Sequence, residues 1–289
     1  MATRKKVSPP SNVVQHAHKI AEAVEAAWYG SHGSGRLEVP VSVIATLAAA
    51  PQRDPQGVDG TEAMLHWEAD DFVRFARMVW RSVIQHRPET THLLYPLIGW
   101  WFDDVDTEMR QHVHKVARAA LHAGQVDLTG TDRRFEVDLL GAVLTVLRPK
   151  SALKAHGQFY TPGCVATLMA RMSSVEEGNN VEDPMMGTGG MFRAVAEGMR
   201  ESGQRPSTMR WLGCDIDETA VACATVNSMI WGLGHDIVFH VGNTLVGDWQ
   251  QAALAQRDHL QWLAAQIRRD KQLLSLLGMW PGTTGESDR

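Results

Sequence analysis

The second half of the sequence alternates short apolar segments with amphipathic segments of helical length. Three segments are predicted to be strands or strand ends: Val181-Glu-Asp183, which ends a short strand, Trp211-Leu-Gly-Cys-Asp215 and Ile237-Val-Phe-His-Val241. The two segments between them, Met191 to Glu201 and Thr219 to Trp231, have the apolar spacing of helices. Alternation of strands and helices predicts a parallel sheet, because parallel neighbours need a long crossover connection.

The first half of the sequence shows helical periodicity instead. Apolar residues recur at three- and four-residue spacing in five segments: 13–28, 39–47, 72–84, 109–120 and 137–147. Ser11 or Asn12 can cap the first of these helices. We interpret Trp100 and Trp101 as core aromatics rather than a base-stacking platform, because no basic residues are interleaved with them. The first half therefore predicts an all-helical domain.

Composition excludes several classes of protein. The formal net charge is −5, so no global positive field attracts a polyanion, and nucleic acid would need a local basic patch or a partner chain. The sequence has no secretion signal and no apolar run of about 20 residues, so we expect no membrane contact. Three cysteines without CxxC spacing indicate reduced thiols in a cytoplasmic protein. The close histidine pairs, His16/His18 and His112/His114, point in different directions on a helix, so we expect no metal.

A glycine-rich turn, Gly187-Thr-Gly-Gly190, links the first predicted strand to a helix. Such a turn lets the backbone approach a ligand closely, and its free amides face an anion. Asp183, just before the turn, is placed to accept hydrogen bonds from a ligand ammonium. Asp215 ends the second strand and is the residue type that binds a ribose diol in nucleotide-binding folds. Asn243, after the third strand, can pair with the edge of an adenine.

Five blocks in this order resemble the adenine-N6 DNA methyltransferases, specifically the modification subunits of type I restriction systems. The blocks are Gly157-Gln-Phe-Tyr-Thr-Pro162, Asp183-Pro-Met-Met-Gly-Thr-Gly-Gly190, Gly213-Cys-Asp-Ile-Asp217, Asn227 with Gly232, and Gly242-Asn-Thr-Leu245. They cover only the cofactor-binding half of that family. The resemblance implies S-adenosylmethionine as the cofactor and a helical N-terminal region.

The resemblance also implies individual roles. Phe159, Tyr160 and Thr161 would contact the methionine part of the cofactor and close its pocket. Asp183, Gly187 and Gly189 would form the acidic and glycine motif around it. Asp215 would bind the ribose, Ile216 would pack on the adenine face, and Asn243 would lie near the adenine amino group.

Simpler interpretations exist for several of these residues. Phe159 and Tyr160 can be core aromatics, and Asp215 can be a helix N-cap. Asp217 is better explained as the cap of the following helix than as a ligand contact. Met185 and Met186 replace smaller residues that are frequent in the family, which predicts a bulkier pocket wall.

The motif that holds the flipped adenine in that family, Asn-Pro-Pro followed by Phe or Tyr, does not occur in these 289 residues. The sequence from Gln250 to Leu277 predicts one or two helices instead of a fourth strand. Either these helices or a second chain would have to cover the free edge of the first strand. The predicted helical segment from Gln250 to Leu277 contains a small basic cluster, Arg268, Arg269 and Lys271. Such a cluster is typical of a solvated helix face and less often of a phosphate contact.

The expected fold is mixed α/β, with an α-helical N-terminal domain, a truncated Rossmann-like domain and a C-terminal helix. The expected units are a flexible tail (1–12), the helical domain (13–150), the partial Rossmann-like S-adenosylmethionine-binding domain (151–249), and the C-terminal helix and tail (250–289). The helical domain and the cofactor half leave too few of the 289 residues for catalysis and target recognition.

We therefore expect an S-adenosylmethionine-binding protein without catalytic residues of its own, acting as a regulatory or split-enzyme subunit in a homo- or hetero-oligomer. DNA contact would come through a partner or the local basic patch. One alternative is an active adenine-N6 methyltransferase that works with a partner chain. The other is a degenerate protein-interaction module from a mobile element or phage.

Overall fold

The computed structural model describes residues 10–31, 35–50, 60–148, 161, 163–173 and 175–276. Most of the predicted N-terminal tail lies outside the described residues, as do Phe159, Tyr160, Pro162 and the end of the chain after 276. The described residues form a helical part followed by a small parallel sheet with helices packed around it.

The helical part contains eight α-helices among the described residues before 149. They are α1 (Val13–Tyr29), α2 (Glu38–Ala49), α3 (Thr61–Leu65), α4 (Ala69–His86), α5 (Thr91–Ile98), α6 (Thr107–His122), α7 (Gln125–Thr129) and α8 (Leu139–Leu147). Helices are therefore confirmed in all five segments where apolar spacing predicts them. Asn12 caps α1, because its side-chain oxygen accepts hydrogen bonds from the amides of Val14 and Gln15.

Tryptophan side chains pack in the core of the helical part, and the indole N–H groups of Trp80 and Trp101 donate to buried hydroxyls. Trp101 is fully buried and donates to Ser42 Oγ at 2.7 Å. Trp80 donates to Thr46 Oγ1 at 2.9 Å. Trp100 stacks on Trp101 with ring centroids 3.9 Å apart. The interpretation of Trp100 and Trp101 as core aromatics is confirmed, because Trp101 lies in the core and Trp100 packs against it.

The sheet has three parallel strands in the order β1 (Asn180–Asp183), β2 (Arg210–Asp215), β3 (Ile237–Val241). Asp183 pairs with Gly213, and Asp215 pairs with Val241. The carboxyl end of β2 therefore extends two residues beyond that of β1. The helices that accompany the sheet are α9 (Gly163–Met172), α10 (Gly190–Glu201), α11 (Glu218–Ile230) and α12 (Trp249–Leu276). The parallel sheet predicted from the alternation of strands and helices is confirmed.

Helix α11 belongs to two cores at once. Ala220, Cys223 and Val226 pack into the core of the helical part, whereas Val221 and Ala224 pack beneath the sheet. Every residue of α11 from Ala220 to Ser228 is consequently buried, because a helix that is apolar on all sides needs neighbours on all sides. The helical part and the sheet thus share this element rather than meeting at a thin linker.

The C-terminal helix α12 packs on the sheet through its first turns. Trp249 and Ala253 lie against Leu212, Cys214 and Val238 of β2 and β3. From Ile267 to Leu273 every described side chain is exposed, including the basic cluster of Arg268, Arg269 and Lys271. The prediction of helix in this segment is confirmed, and it forms one helix.

The outer edge of β1 has no partner strand within the described ranges. The sequence predicts that either the C-terminal helix or a second chain covers this edge. The C-terminal helix does not cover it, because α12 packs on β2 and β3. Helix α9, which packs on α10, buries only its small residues Ala166 and Ala170. Its larger apolar side chains face solvent: Val165, Leu168, Met169 and Met172.

Candidate functional site

The glycine turn between β1 and α10 has the backbone conformation that only glycine adopts without strain. Gly187 has φ +53° and Gly189 has φ +90°. A Cβ atom at Gly189 would also lie 3.2 Å from the ring of Trp231, whereas one at Gly190 would meet nothing within 4 Å. The turn is therefore packed tightly on its inner side and open beside the start of α10.

Asp215 lies at the end of β2 and is hydrogen-bonded to this turn. Its Oδ2 accepts from the Gly187 amide at 2.8 Å, and its Oδ1 accepts from the Asp217 amide at 3.0 Å. The cap of α11 is Asp217, whose Oδ1 accepts from the amides of Thr219 and Ala220. The interpretation of Asp215 as a helix N-cap is therefore wrong, and that of Asp217 as the cap is confirmed.

Asp183 ends β1 on the same edge of the sheet. Its Oδ1 accepts from the Met185 amide at 3.0 Å. Burial raises the pKa of Asp183, and the nearby charge of Asp215 raises it further. The two predicted carboxylates are thus close enough to interact, as expected for the ends of neighbouring parallel strands.

Asn243 and Ile216 form the outer part of this edge. The Asn243 side chain accepts a hydrogen bond from the Leu245 amide at 3.0 Å and shapes the turn after β3. Ile216 is 74% exposed, and Leu245 is 91% exposed. Both side chains are therefore accessible from solvent beside the ends of the strands.

The two methionines of the turn point in opposite directions. Met186 is buried under the turn, where it packs in the same cluster as Phe192, and its sulfur would collide with any Cβ at Gly213. Met185 is 79% exposed. The sequence predicts that both methionines make the pocket wall bulkier. Met186 lies in the core instead, and of the two only Met185 is exposed at the outer edge.

The segment that would close such a site is only partly described. Phe159 and Tyr160 lie outside the described residues, and Thr161 is exposed just before α9 begins at Gly163. The structure thus brings together Asp183, Gly187 and Asp215, with Gly189 behind them and Ile216 and Asn243 at the rim.

A polar contact behind the turn was not predicted from the sequence. Asp138 caps α8 and also accepts hydrogen bonds from Thr188 Oγ1 at 2.5 Å and Asn227 Nδ2 at 2.8 Å. The sequence places Asp138 at the start of the predicted helix 137–147 and Asn227 in a family block, and neither position indicates this contact.

No group of three or more His, Cys, Asp or Glu side chains is arranged to hold a metal ion in the described ranges. None of the described helices is both long and apolar enough to cross a membrane.

Residues 138–264 match the family model of the N-6 DNA methylases. This part of the chain resembles the N-6 DNA methylases. The family resemblance expected from the sequence blocks is therefore confirmed, and the matched segment contains the glycine turn, all three strands and Asp138.

Comparison with solved structures gives a more distant similarity. The chain is similar to the type I restriction-modification system methyltransferase subunit from Streptococcus thermophilus, with 17% sequence identity and a TM-score of 0.46. The match covers 82% of this chain and 59% of that chain, so this chain spans less than two thirds of that subunit's length. No curated protein matches the chain.

Proposed function

We propose that this chain binds S-adenosylmethionine at the carboxyl ends of its strands. In this proposal the small parallel sheet is the cofactor half of a Rossmann-like methyltransferase fold. The observation that carries it is the Asp215 carboxylate hydrogen-bonded to the Gly187 amide, inside a segment that matches the N-6 DNA methylases. This arrangement joins a ribose-binding residue type to a glycine turn that can approach a ligand.

The residues at this edge fit the chemistry of the cofactor. A carboxylate has about four lone-pair sites, so Asp215 can accept from two ribose hydroxyls while keeping both of its backbone hydrogen bonds. Asp183 carries an acceptor suited to the ammonium of the methionine part. Ile216 offers an exposed apolar surface for the adenine face, and Asn243 offers an amide for its edge.

Each side chain has a separate task in this proposal. Asp215 fixes the ribose, Asp183 fixes the charged end, and Thr161 with Phe159 and Tyr160 closes the pocket over the methionine part. The bound cofactor would supply an activated methyl group. Gly187 and Gly189 keep the turn free of side chains, so that the cofactor can lie against the backbone.

We further propose that the chain does not transfer the methyl group by itself and serves as a regulatory or split-enzyme subunit. The support is the missing Asn-Pro-Pro motif in the 289 residues, together with a long helix after β3 where the family continues its sheet. In that family this motif accepts from the adenine amino hydrogens and orients the base, so its role would have to come from elsewhere.

An active adenine-N6 methyltransferase formed with a partner chain is the second candidate. The free edge of β1 and the exposed apolar face of α9 favour it, because further strands and their covering surfaces would lie there. The partner would also bring the base-binding motif and DNA contacts that a chain with a net charge of −5 does not provide through its overall field.

Calorimetry with S-adenosylmethionine tests cofactor binding. We expect wild type to bind and Asp215→Ala to lose at least about tenfold in affinity, since hydrogen bonds to a charged group contribute about 1.5–3 kcal/mol each. Glu182→Gln is the matched control, because Glu182 is an exposed carboxylate on β1 one residue before Asp183. Absence of wild-type binding at millimolar ligand would contradict the proposal.

A radiolabelled-methyl assay on duplex DNA separates the remaining candidates. A regulatory subunit predicts no incorporation by the purified chain, whereas the second candidate, like a split-enzyme subunit, predicts incorporation only when a partner is added. Stable incorporation by the chain alone contradicts the proposal that it lacks a base-binding group. Partner binding without any cofactor binding would indicate the degenerate interaction module instead.

A further inference from the structure

Asp138 connects the helical part to the glycine turn through a single carboxylate. It caps α8 by accepting from the Gly141 amide at 2.8 Å. The same carboxylate accepts from Thr188 Oγ1 at 2.5 Å and from Asn227 Nδ2 at 2.8 Å. Three donors from three different elements therefore converge on one side chain.

Thr188 is the residue of the turn that these contacts hold. It stands between the two positive-φ glycines, Gly187 and Gly189, and is only 3% exposed. Its carbonyl oxygen accepts from Asn227 Nδ2 at 2.9 Å, in addition to the bond from its hydroxyl to Asp138. Both the side chain and the main chain of Thr188 are thus fixed from behind the turn.

Close approach of α8 to the turn depends on Gly141. A Cβ atom at this position would lie 2.7 Å from Thr188 Oγ1 and closer still to the Asp138 carboxylate. The absence of a side chain at Gly141 therefore allows the first turn of α8 to reach the glycine turn. The two anchors of the turn lie on neighbouring residues, with Asp215 holding the Gly187 amide and Asp138 holding Thr188.

We propose that Asp138 is a positioning residue that sets the conformation of the glycine turn from the helical part, and thereby sets the affinity for S-adenosylmethionine. This inference rests on the proposed function. Asp138 itself does not contact the ligand, because the buried Thr188 lies between it and the open side of the turn. Its influence passes through the Thr188 hydroxyl and the Asn227 amide.

The free-energy cost of losing the hydrogen bond from Thr188 to Asp138 depends on the burial of the Asp138 carboxylate. Burial raises the pKa of Asp138, while the hydrogen bonds from Thr188, Gly141 and Asn227 oppose that change. A carboxylate in such a place depends on all of its donors, since an unsatisfied buried group is costly. Removing the Thr188 hydroxyl should therefore disturb the turn more than its small volume suggests.

The test compares Thr188→Val with Thr188→Ser in the full chain, by calorimetry with S-adenosylmethionine. Valine keeps the shape and removes the hydroxyl, so we expect about a tenfold loss of affinity, as for one hydrogen bond to a charged group. Serine keeps the hydroxyl and should bind within about twofold of wild type. Equal affinities for the valine variant and wild type would overturn the inference.

A cap control separates positioning from general stability. Asp106 caps α6 by accepting from the Met109 amide at 2.7 Å, and it is an exposed residue of the helical part. Asp106→Ala and Asp138→Ala each remove a helix cap, but only Asp138→Ala should weaken cofactor binding at a temperature where both variants remain folded. Equal loss of affinity in both variants would show that Asp138 acts only through stability, against the inference.

Hydrogen exchange on the ligand-free chain distinguishes failure of this inference from failure of the proposed function. We expect Thr188→Val to speed exchange at the amides of 187–190 and leave those of α6 unchanged. If wild type does not bind the cofactor, the proposed function fails, and the effect of Asp138 on cofactor affinity fails with it. The exchange rates at 187–190 then test separately whether Asp138 holds the glycine turn. Unchanged exchange at 187–190 overturns the anchoring.

Discussion

At the scale of single residues, Asp183 and Asp215 are the two carboxylates at the ends of neighbouring strands. Burial and the charge of Asp215 raise the pKa of Asp183, so its proton is held to higher pH than in an ordinary carboxyl group. A ligand ammonium prefers the ionised form. Binding of such a ligand should therefore release a proton from Asp183 when the pH is near its raised pKa.

The affinity for S-adenosylmethionine should rise with pH through the raised pKa of Asp183 and then level off. Below that pKa the carboxyl group is protonated and loses its attraction for the ammonium. Asp183→Asn should bind more weakly at neutral pH and show a flatter profile through the acid range. Calorimetry across a pH series checks this, and parallel profiles for the variant and wild type would contradict it.

Some of these residues are predictable from the sequence because local chemistry determines them. A glycine turn between a strand and a helix allows positive φ, and an Asp at a strand end must lie at the sheet edge, so Gly187, Gly189 and Asp215 could be assigned in advance. The inward direction of Met186 could not, because it depends on Gly213 leaving space in the next strand. The bond between Asp138 and Thr188 joins residues 50 positions apart and has no local signal.

At the scale of elements, helix α12 uses one end to pack and leaves the other end exposed. Trp249 is 8% exposed against β2 and β3, whereas Trp262 is 57% exposed thirteen residues later. A helix is stabilised in a protein mainly by the apolar face that it buries. The first turns of α12 should therefore contribute most of its stabilisation.

The two tryptophans of α12 give a matched pair of substitutions. Trp249→Ala should lower the free energy of unfolding by about 3–5 kcal/mol, because it leaves a cavity against the sheet. Trp262→Ala should change it by no more than about 0.5 kcal/mol, as for most surface positions. Urea denaturation of both variants measures the difference, and equal losses would show that the exposed half of α12 is also packed in solution.

The sequence pattern is less informative about which face of a helix is covered. The spacing of Val165, Leu168, Met169 and Met172 predicts that these side chains form the buried face of a helix, yet the side chains that α9 buries are Ala166 and Ala170. The larger Leu168 and Met172 are exposed. Periodicity identifies an apolar face, but the neighbour that buries it is a property of the tertiary structure or of a partner.

At the scale of the whole molecule, side-chain contacts connect the helical part to the sheet, in addition to the continuous peptide chain. Helix α11 contributes side chains to both cores, and Arg148 forms an ion pair with Asp217, the cap of that helix. Both partners of this pair are 12% exposed. Apolar packing and a largely buried ion pair therefore connect the two parts at the same helix.

Composition and periodicity distinguish a helical region from an alternating region, but they do not show that α11 is shared. Helix α11 is shared between the two cores because it is buried on every side. The apolar residues within its own segment do not show which elements surround the helix. Since a two-core helix cannot lose one neighbour without exposing apolar surface, we expect the described structure to unfold as one cooperative unit.

Substitution of Arg148 tests this cooperativity. Arg148→Met should destabilise the chain by roughly 3–5 kcal/mol, since removing one partner of a buried ion pair leaves the Asp217 carboxylate uncompensated. Arg74→Met is the control, because Arg74 is 73% exposed and its pair with Asp71 lies on the surface, where such pairs contribute at most about 1 kcal/mol.

Native-state hydrogen exchange should show Arg148→Met lowering the protection of α1 and β2 amides by the same amount, although these elements lie in different parts of the chain. The reason is that Asp217 caps the helix whose side chains complete both cores. If β2 lost protection while α1 kept it, the sheet would open independently, and α11 would be held by the helical part alone.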